Sequence, residues 1–192
     1  MMRVITGKAR GIRLAAPAGE ETRPTAERVK EAVFSMIQFE TEGRRVLDLF
    51  AGSGQLGIEA ISRGAAHAVF VDSSKQAVGT VEKNLCKTKL ALQADVFCSN
   101  YRDFLRTSRN RRGFDLVFLD PPYASGAVSD ALDALLAGKL LLPGAILVCE
   151  TAKPQDVFAG NESLAEAFDV RREARYGAAY VTVLTLREGV PV

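Results

Sequence analysis

Asp120-Pro121-Pro122-Tyr123 concentrates more chemistry than any other stretch of this sequence. Two successive prolines lock the backbone and remove two N–H donors. The groups left to face a ligand are acceptors, the Asp120 carboxylate and the Pro121 carbonyl, with the Tyr123 ring beside them as a flat plate. An exocyclic amino group on a purine has two hydrogens to give, and its lone pair is delocalised into the ring. Accepting both hydrogens draws that nitrogen toward a tetrahedral shape and frees the lone pair to attack an electrophilic methyl group. Stacking on Tyr123 would hold the base in line, so alignment supplies much of the rate. No strong general base is needed, because the nitrogen loses its proton easily once alkylated. The bland alternative for such a motif is a rigid surface turn.

A second constellation supplies the other half of such a reaction. Val46-Leu47-Asp48-Leu49-Phe50 reads as a buried strand, and Gly52-x-Gly54-x-x-Gly57 follows as a turn into a helical pattern. That is the glycine fingerprint of a nucleotide-binding βαβ unit, and Asp72 stands where the fingerprint wants an acid. A dinucleotide would nevertheless meet Asp48, whose carboxylate repels a pyrophosphate that needs bare N–H groups and a helix N-terminus. The same carboxylate suits a ligand with a positive end, such as the amino group and sulfonium of S-adenosylmethionine. Asp72 is placed to accept both ribose hydroxyls, or to cap the helix after it.

These groups need a scaffold that brings them together. Residues 3–14 read as a hairpin with Lys8, Arg10 and Arg13 on its tip and one face, and Pro17 to Glu21 as loop. A helix is expected over Ala26–Ile37, with Thr25 as N-cap, Pro24 outside it, Val29, Val33, Phe34 and Ile37 inward, and Arg28 and Lys30 outward. Strands follow at 45–50, 66–72, 94–98, 114–120 and 145–150, with helices at 55–63, 74–88, 101–106 and 127–137 between them. The runs 168–175 and 180–187 close the chain as a hairpin around Tyr176-Gly177. Repeated βα units ending in a hairpin mean an α/β fold: a seven-stranded, mostly parallel sheet with an antiparallel C-terminal edge strand, preceded by a hairpin and helix. Residues 1–43 are expected to form the basic extension and 44–192 the catalytic domain. Asp48, Asp72, Asp120 and Glu150 all fall at or near strand ends, where such sheets bind ligands.

Bulk properties narrow the partner. The 192 residues carry a net charge of only +2, but residues 1–30 hold seven Lys/Arg against three Glu. A second basic run comprises Arg102, Arg106, Arg109, Arg111 and Arg112. Two such runs flanking a ligand site point to a polyanion, although each alone would pass for a solvated face. Cys86, Cys98 and Cys149 are far apart and read as small core residues in a reducing compartment. His67 begins an apolar strand and has no partner ligand in sequence, so no metal is expected. No stretch is long and apolar enough for a membrane span and the start is not a signal peptide, so a cytoplasmic protein is expected, and a monomer.

Arg3-Val-Ile-Thr-Gly-Lys-Ala-Arg-Gly11, Thr22-Arg-Pro-Thr25 with Arg28-Val-Lys-Glu-Ala32, Leu47-Asp-Leu-Phe-Ala-Gly-Ser-Gly54, Gly57-Ile-Glu-Ala60 with Ser62-Arg-Gly64, and Phe118-Leu-Asp-Pro-Pro-Tyr123 together resemble the RsmD-type methyltransferases. These are class I, Rossmann-like enzymes that use S-adenosylmethionine to methylate the N2 amino group of a guanine in 16S ribosomal RNA. The resemblance runs nearly end to end; the Thr-Arg-Pro-Thr helix and basic hairpin make it family-specific. It implies that Asp48, Phe50, Gly52 and Gly54 bind the methionine end of the cofactor and Asp72 with Ser73 its ribose, with Ser53 also among the cofactor-binding residues. Asp120, Pro121, Pro122 and Tyr123 would form the target-base site. Lys8, Arg10, Arg13, Arg23 and Arg28 would face 16S ribosomal RNA or a small-subunit assembly particle. One departure concerns the adenine: where such enzymes place an aspartate after the third strand, this chain has Ser99-Asn100, so Asn100 is the expected acceptor and Asp103 the fallback.

The Asp-Pro-Pro-Tyr motif serves any exocyclic amine, so an adenine-N6 methyltransferase on DNA or RNA is the main alternative. The small size, without a separate target-recognition domain, favours the ribosomal substrate, whose folded shape supplies specificity. A non-catalytic RNA-binding protein on the same scaffold is the third reading, and the intact glycines and acids weigh against it.

Overall fold

Alternating apolar and amphipathic runs produce one sheet with helices on both faces. The computed structural model describes residues 2–17, 24–108, 113–122 and 126–190. In chain order the elements are α1 (Pro24–Met36), β1 (Arg45–Asp48), α2 (Gln55–Ser62), β2 (His67–Asp72), α3 (Lys75–Thr88), β3 (Ala94–Cys98) and α4 (Tyr101–Thr107). Then come β4 (Phe114–Leu119), α5 (Ala127–Ala137), β5 (Leu141–Thr151), α6 (Glu162–Glu166), β6 (Phe168–Tyr176) and β7 (Ala179–Leu186).

The sheet order is β3-β2-β1-β4-β5-β7-β6. Strands β1 to β5 are parallel, and β7 runs antiparallel to both of its neighbours. The chain therefore winds outward from β1 through β2 to β3, then returns to the other side of β1 for β4. That reversal opens a crevice at the carboxyl ends of β1 and β4, where ligands bind in sheets of this kind. The closing hairpin forms as expected, and the last strand lies one place in from the edge, with β6 outside it.

Alternate residues of each strand face opposite layers. Val46, Phe70, Phe118 and Val148 pack with α1, α2 and α3, whereas Leu47, Val69, Val117 and Leu147 pack with α4 and α5. Burial on both faces is why these strands read as unbroken apolar runs. Helix α2 lies close against the sheet because Gly57 has no side chain: a Cβ there would come within 2.3 Å of the Phe70 ring. Gly57→Ala should therefore cost about 1–3 kcal/mol through overpacking, read as a lower denaturation midpoint with an unchanged slope. An unchanged midpoint would mean that the ring can move aside.

The N-terminal segment is stitched to the rest by polar contacts as well as by burial of Met2, Val4, Ala9 and Leu14 in the same apolar cluster as the sheet. Residues 3–14 form a tight antiparallel loop with a single bridge between Arg3 and Arg13, shorter than the two strands expected. The Ile5 and Thr6 amides donate to the buried Glu59 carboxylate at 2.7 and 3.0 Å, and the Ala9 amide to Ser62 Oγ at 2.9 Å. Asn84 of α3 accepts from the Ala15 amide and donates to the Ala15 and Ser53 carbonyls. Glu59 and Asn84 thereby clamp the segment over α2 and α3.

Several sequence expectations require correction. Helix α1 starts at Pro24 itself, so Thr25 is not its cap; proline suits the first helical position because the N–H it lacks would have had no partner there. Lys30, expected on the surface, is 1% exposed. Its position completes an i, i+3, i+4, i+7 stripe with Val33, Phe34 and Ile37, which is the stripe that packs inward. Of the cysteines only Cys149 is buried; Cys86 and Cys98 are exposed. Helix α6, capped by Asn161, was not anticipated because five residues carry too little periodicity to read. His67 is paired across β2 and β3 with Asp95 at 2.9 Å. Among the described residues, no helix is long and apolar enough to cross a membrane, and no three His, Cys, Asp or Glu side chains are grouped as around a metal ion.

Candidate active site

Backbone geometry at the end of β1 creates the first half of the site. Beyond Asp48 the chain keeps hydrogen-bonding to both neighbours, Leu49 N–H to the Phe118 carbonyl and Ala51 N–H to the Val71 carbonyl. It then turns sharply through Gly52 (φ +53) and Gly54 (φ +76), left-handed conformations that a side chain disfavours. A Cβ at Gly52 would meet nothing within 4 Å, so the turn faces open space. Asp72 fixes this turn: one carboxylate oxygen accepts from Gly52 N–H at 2.9 Å and the other from Ser74 N–H at 2.8 Å. Helix α3 is capped by Ser74, whose hydroxyl accepts from Ala77 N–H, so the capping role considered for Asp72 belongs to its neighbour.

Asp48 is almost wholly buried, and its carboxylate accepts from Gly57 N–H at 3.0 Å. Burial pushes its pKa up to about 7; the Gly57 N–H acts in the opposite direction, and the nearby Asp72 adds to the rise. An acid in this position is short of positive charge, which a cationic ligand at the turn would provide. Phe50 is half-buried, its ring 5.0 Å from that of Tyr101. Ser53 is buried, with its hydroxyl turned to Met2 Sδ at 3.1 Å. Ser73 is exposed beside Asp72. Asn100 is exposed and caps α4, its side-chain oxygen accepting from Arg102 N–H at 2.9 Å. Asp103 is exposed and pairs with Arg106.

The second half lies across the switch point. Asp48 is in register with Phe118, so Asp120, two residues on, emerges beside the glycine turn. Asp120 borders a cavity of about 210 Å³, whose walls include Lys30 of α1, Gln55 and Leu56 at the start of α2, Glu150 of β5, and Gly177 in the β6–β7 turn. Pro121 is buried and Pro122 exposed. Tyr123 and Arg23, named from the sequence, lie outside the described residues, as do Arg109, Arg111 and Arg112. The four strand-end acids thus divide: Asp48 and Asp72 serve the turn, while Asp120 and Glu150 border the cavity. Lys8, Arg10, Arg13 and Arg28 are all exposed.

Gln55, Glu59 and Asn84 were not singled out in the sequence as site residues, and Lys30 was read only as an outward-facing cation beside Arg28. Glu59 had a signal, an acid embedded in the apolar helix run Leu56, Ile58, Ala60, Ile61. Asn84 had none, because its partners lie about 30 and 70 positions away.

Residues 2–185 match the family model described as Conserved hypothetical protein 95. Ribosomal RNA small subunit methyltransferase D of Haemophilus influenzae is 38% identical over 153 residues, 79% of either chain. The Escherichia coli K12 protein of the same name is 34% identical over 150 residues, 78% of this chain and 74% of its own. A solved structure of a hypothetical protein from Thermus thermophilus superposes with a TM-score of 0.75 at 29% identity, covering 95% of this chain and 98% of that one. With the glycine turn, the switch-point acids and the basic N-terminal loop on one scaffold, the chain belongs to the RsmD-type methyltransferase family.

Proposed function

We propose that this protein transfers a methyl group from S-adenosylmethionine to the exocyclic N2 amino group of a guanine in 16S ribosomal RNA. The observation that carries the reading is the position of Asp120, which borders a cavity beside a glycine turn whose buried acid has no cationic partner among the described residues. Relatives named for small-subunit ribosomal RNA support the substrate class. S-adenosylmethionine would supply the activated methyl carbon on a sulfonium. The residues present fit it: open space above Gly52 admits a ligand, Asp48 complements positive charge, and the Asp72 carboxylate stands at the strand end suited to ribose hydroxyls. Asp120 and the Pro121 carbonyl accept the two amino hydrogens of the base and localise the nitrogen lone pair. Alignment of that nitrogen in a water-poor crevice does the rest. A ribosomal substrate places the reaction in the cytoplasm.

Lys8, Arg10, Arg13 and Arg28 are exposed on the N-terminal loop and α1, and they form the RNA contact of this reading, with Arg23 beside them in sequence. Replacing Arg10 and Arg28 with alanine should weaken RNA binding and flatten the dependence of log K on log salt by about 0.7–0.9 for each phosphate no longer neutralised. An unchanged slope in a filter-binding titration would assign these arginines to solvation. The proposed reaction is tested by nucleoside digestion of 16S ribosomal RNA from cells with and without the gene. N2-methylguanosine should be lost with the gene; loss of N6-methyladenosine instead would establish the adenine reading.

A further inference from the structure

The β6–β7 turn forms part of the cavity beside Asp120, where Gly177 and Ala178 enter the wall. An arginine is fixed to this turn. Arg175 pairs across the hairpin with Tyr180, which is in register with Thr151 at the end of β5, so the three lie in one row at the carboxyl end of the parallel strands. The Arg175 guanidinium lies over the Tyr180 ring, 5.4 Å from its centroid, and its Nε donates to the Gly177 carbonyl at 3.0 Å. Arg3, Arg63, Arg102, Arg106, Arg171 and Arg187 each face a carboxylate. Arg175 is exposed and has no acid partner among the described residues. Glu173, on the same face of β6, stands one rung farther from the turn. A guanidinium carries five N–H donors; one is used on Gly177, and those on the two terminal nitrogens are left for a ligand. They sit outside the cavity, on the turn that walls it, which is where the sugar and phosphate of a nucleotide remain when its base goes in.

We propose that Arg175, held flat on Tyr180, grips a backbone phosphate next to the nucleotide whose base enters the cavity. The inference rests on the reading of that cavity as the target-base site, and not on which purine it takes. A planar fork of donors matches two phosphate oxygens at once. Ring and carbonyl have already fixed the side chain, so little rotamer freedom is lost when the phosphate arrives. Phosphate contacts carry no sequence information but set the register of the strand, and register is what a base needs in order to reach Asp120. A second wall carries an exposed arginine as well, since Arg28 precedes Val29 and Lys30 of α1. Lys153, exposed just past β5, adds a cation at the same end of the sheet. An RNA strand crossing the opening would thus meet positive charge on the hairpin in addition to that on α1 and the N-terminal loop.

The test uses the full-length enzyme and an RNA hairpin spanning the mapped target nucleotide, in which each phosphate flanking that nucleotide is replaced in turn by an uncharged methylphosphonate. Wild-type affinity should fall about tenfold for one of these positions, the scale of one charge-assisted hydrogen bond. Arg175→Gln should bind the unmodified RNA about tenfold more weakly and lose less than about twofold further from that same methylphosphonate, because the partner of the missing charge is already gone. Its dependence of log K on log salt should be shallower by about 0.7–0.9, and its affinity for S-adenosylmethionine should be unchanged. A variant that binds like wild type, or one whose losses add to those of every methylphosphonate, overturns the proposal, since a merely structural arginine would not single out one phosphate. Should Arg175→Gln not fold, Arg175→Lys keeps the charge and loses the plane; it should weaken binding severalfold with an unchanged salt slope, and unchanged binding again overturns the proposal. These outcomes bear on Arg175 alone. Failure to map any methylated nucleotide that depends on the gene refutes the underlying reading instead.

Discussion

Asp120→Ala is expected to lower turnover by about a thousandfold or more while leaving affinity for S-adenosylmethionine within about twofold. The size follows from removing a preorganised acceptor at the point where charge develops on the reacting nitrogen, an effect worth about 10²–10³ for one group at an oxyanion site. Loss of alignment adds to it, because the base amino group then keeps a single partner, the Pro121 carbonyl. Cofactor affinity should survive because Gly52, Asp48 and Asp72 form their hydrogen bonds without help from Asp120. Single-turnover kinetics at saturating RNA, with calorimetric titration of the cofactor, separates the two quantities. Equal loss of both would place Asp120 in the cofactor site.

Asp48 should make cofactor binding depend on pH. Its carboxyl ionises near the ordinary carboxylate value in the unfolded chain and at about 7 in the folded protein. Between those values the folded state holds a proton that the unfolded chain has released. The resulting stability is fully present below about pH 4 and is lost as pH rises through about 7. A sulfonium and an amino group beside the carboxylate reverse this preference and draw the proton off. Affinity for S-adenosylmethionine should therefore rise about fivefold from pH 6 to pH 7, below the range where a free α-amino group itself titrates. Binding at pH 6 should release close to one proton, visible by calorimetry in buffers of different ionisation heat. Asp48→Asn should abolish that release and weaken binding by about 10–100-fold, the scale of one charge-assisted hydrogen bond. Pronounced proton release in the asparagine variant would trace the titration to another group.

The sheet and its order of elements were legible because a parallel strand buried on both faces leaves a run such as Phe114–Leu119 and the helices between leave a 3.6-residue period. The glycine turn was legible because positive φ at Gly52 and Gly54 restricts the residues that fit. Lys30 was misread as surface by its charge, even though its spacing with Val33, Phe34 and Ile37 marked the inward face. The clamps made by Glu59 and Asn84 were invisible for a different reason. Their partners are mostly backbone amides and carbonyls, which every residue carries, so no side-chain pattern records them. Asp72 was read as a ligand for ribose, and the sequence could not show that the same carboxylate also holds Gly52 in place. Assigning Asp120 and Glu150 to one cavity and Asp48 to another duty required the strand registers.

The stitching of residues 2–15 to Glu59, Ser62 and Asn84 has a consequence for biogenesis. Residues 2–15 find their partners only after some 50–70 further positions have been made, as the Ala15–Asn84 separation of 69 positions sets the scale. Until α2 and α3 exist, the basic loop has nothing to dock on and Met2, Val4 and Leu14 remain wet. Loop-closure entropy is met late for these pairings, so this segment becomes one of the last parts to settle, and a bulkier side chain in place of Met2 would burden the glycine turn through Ser53.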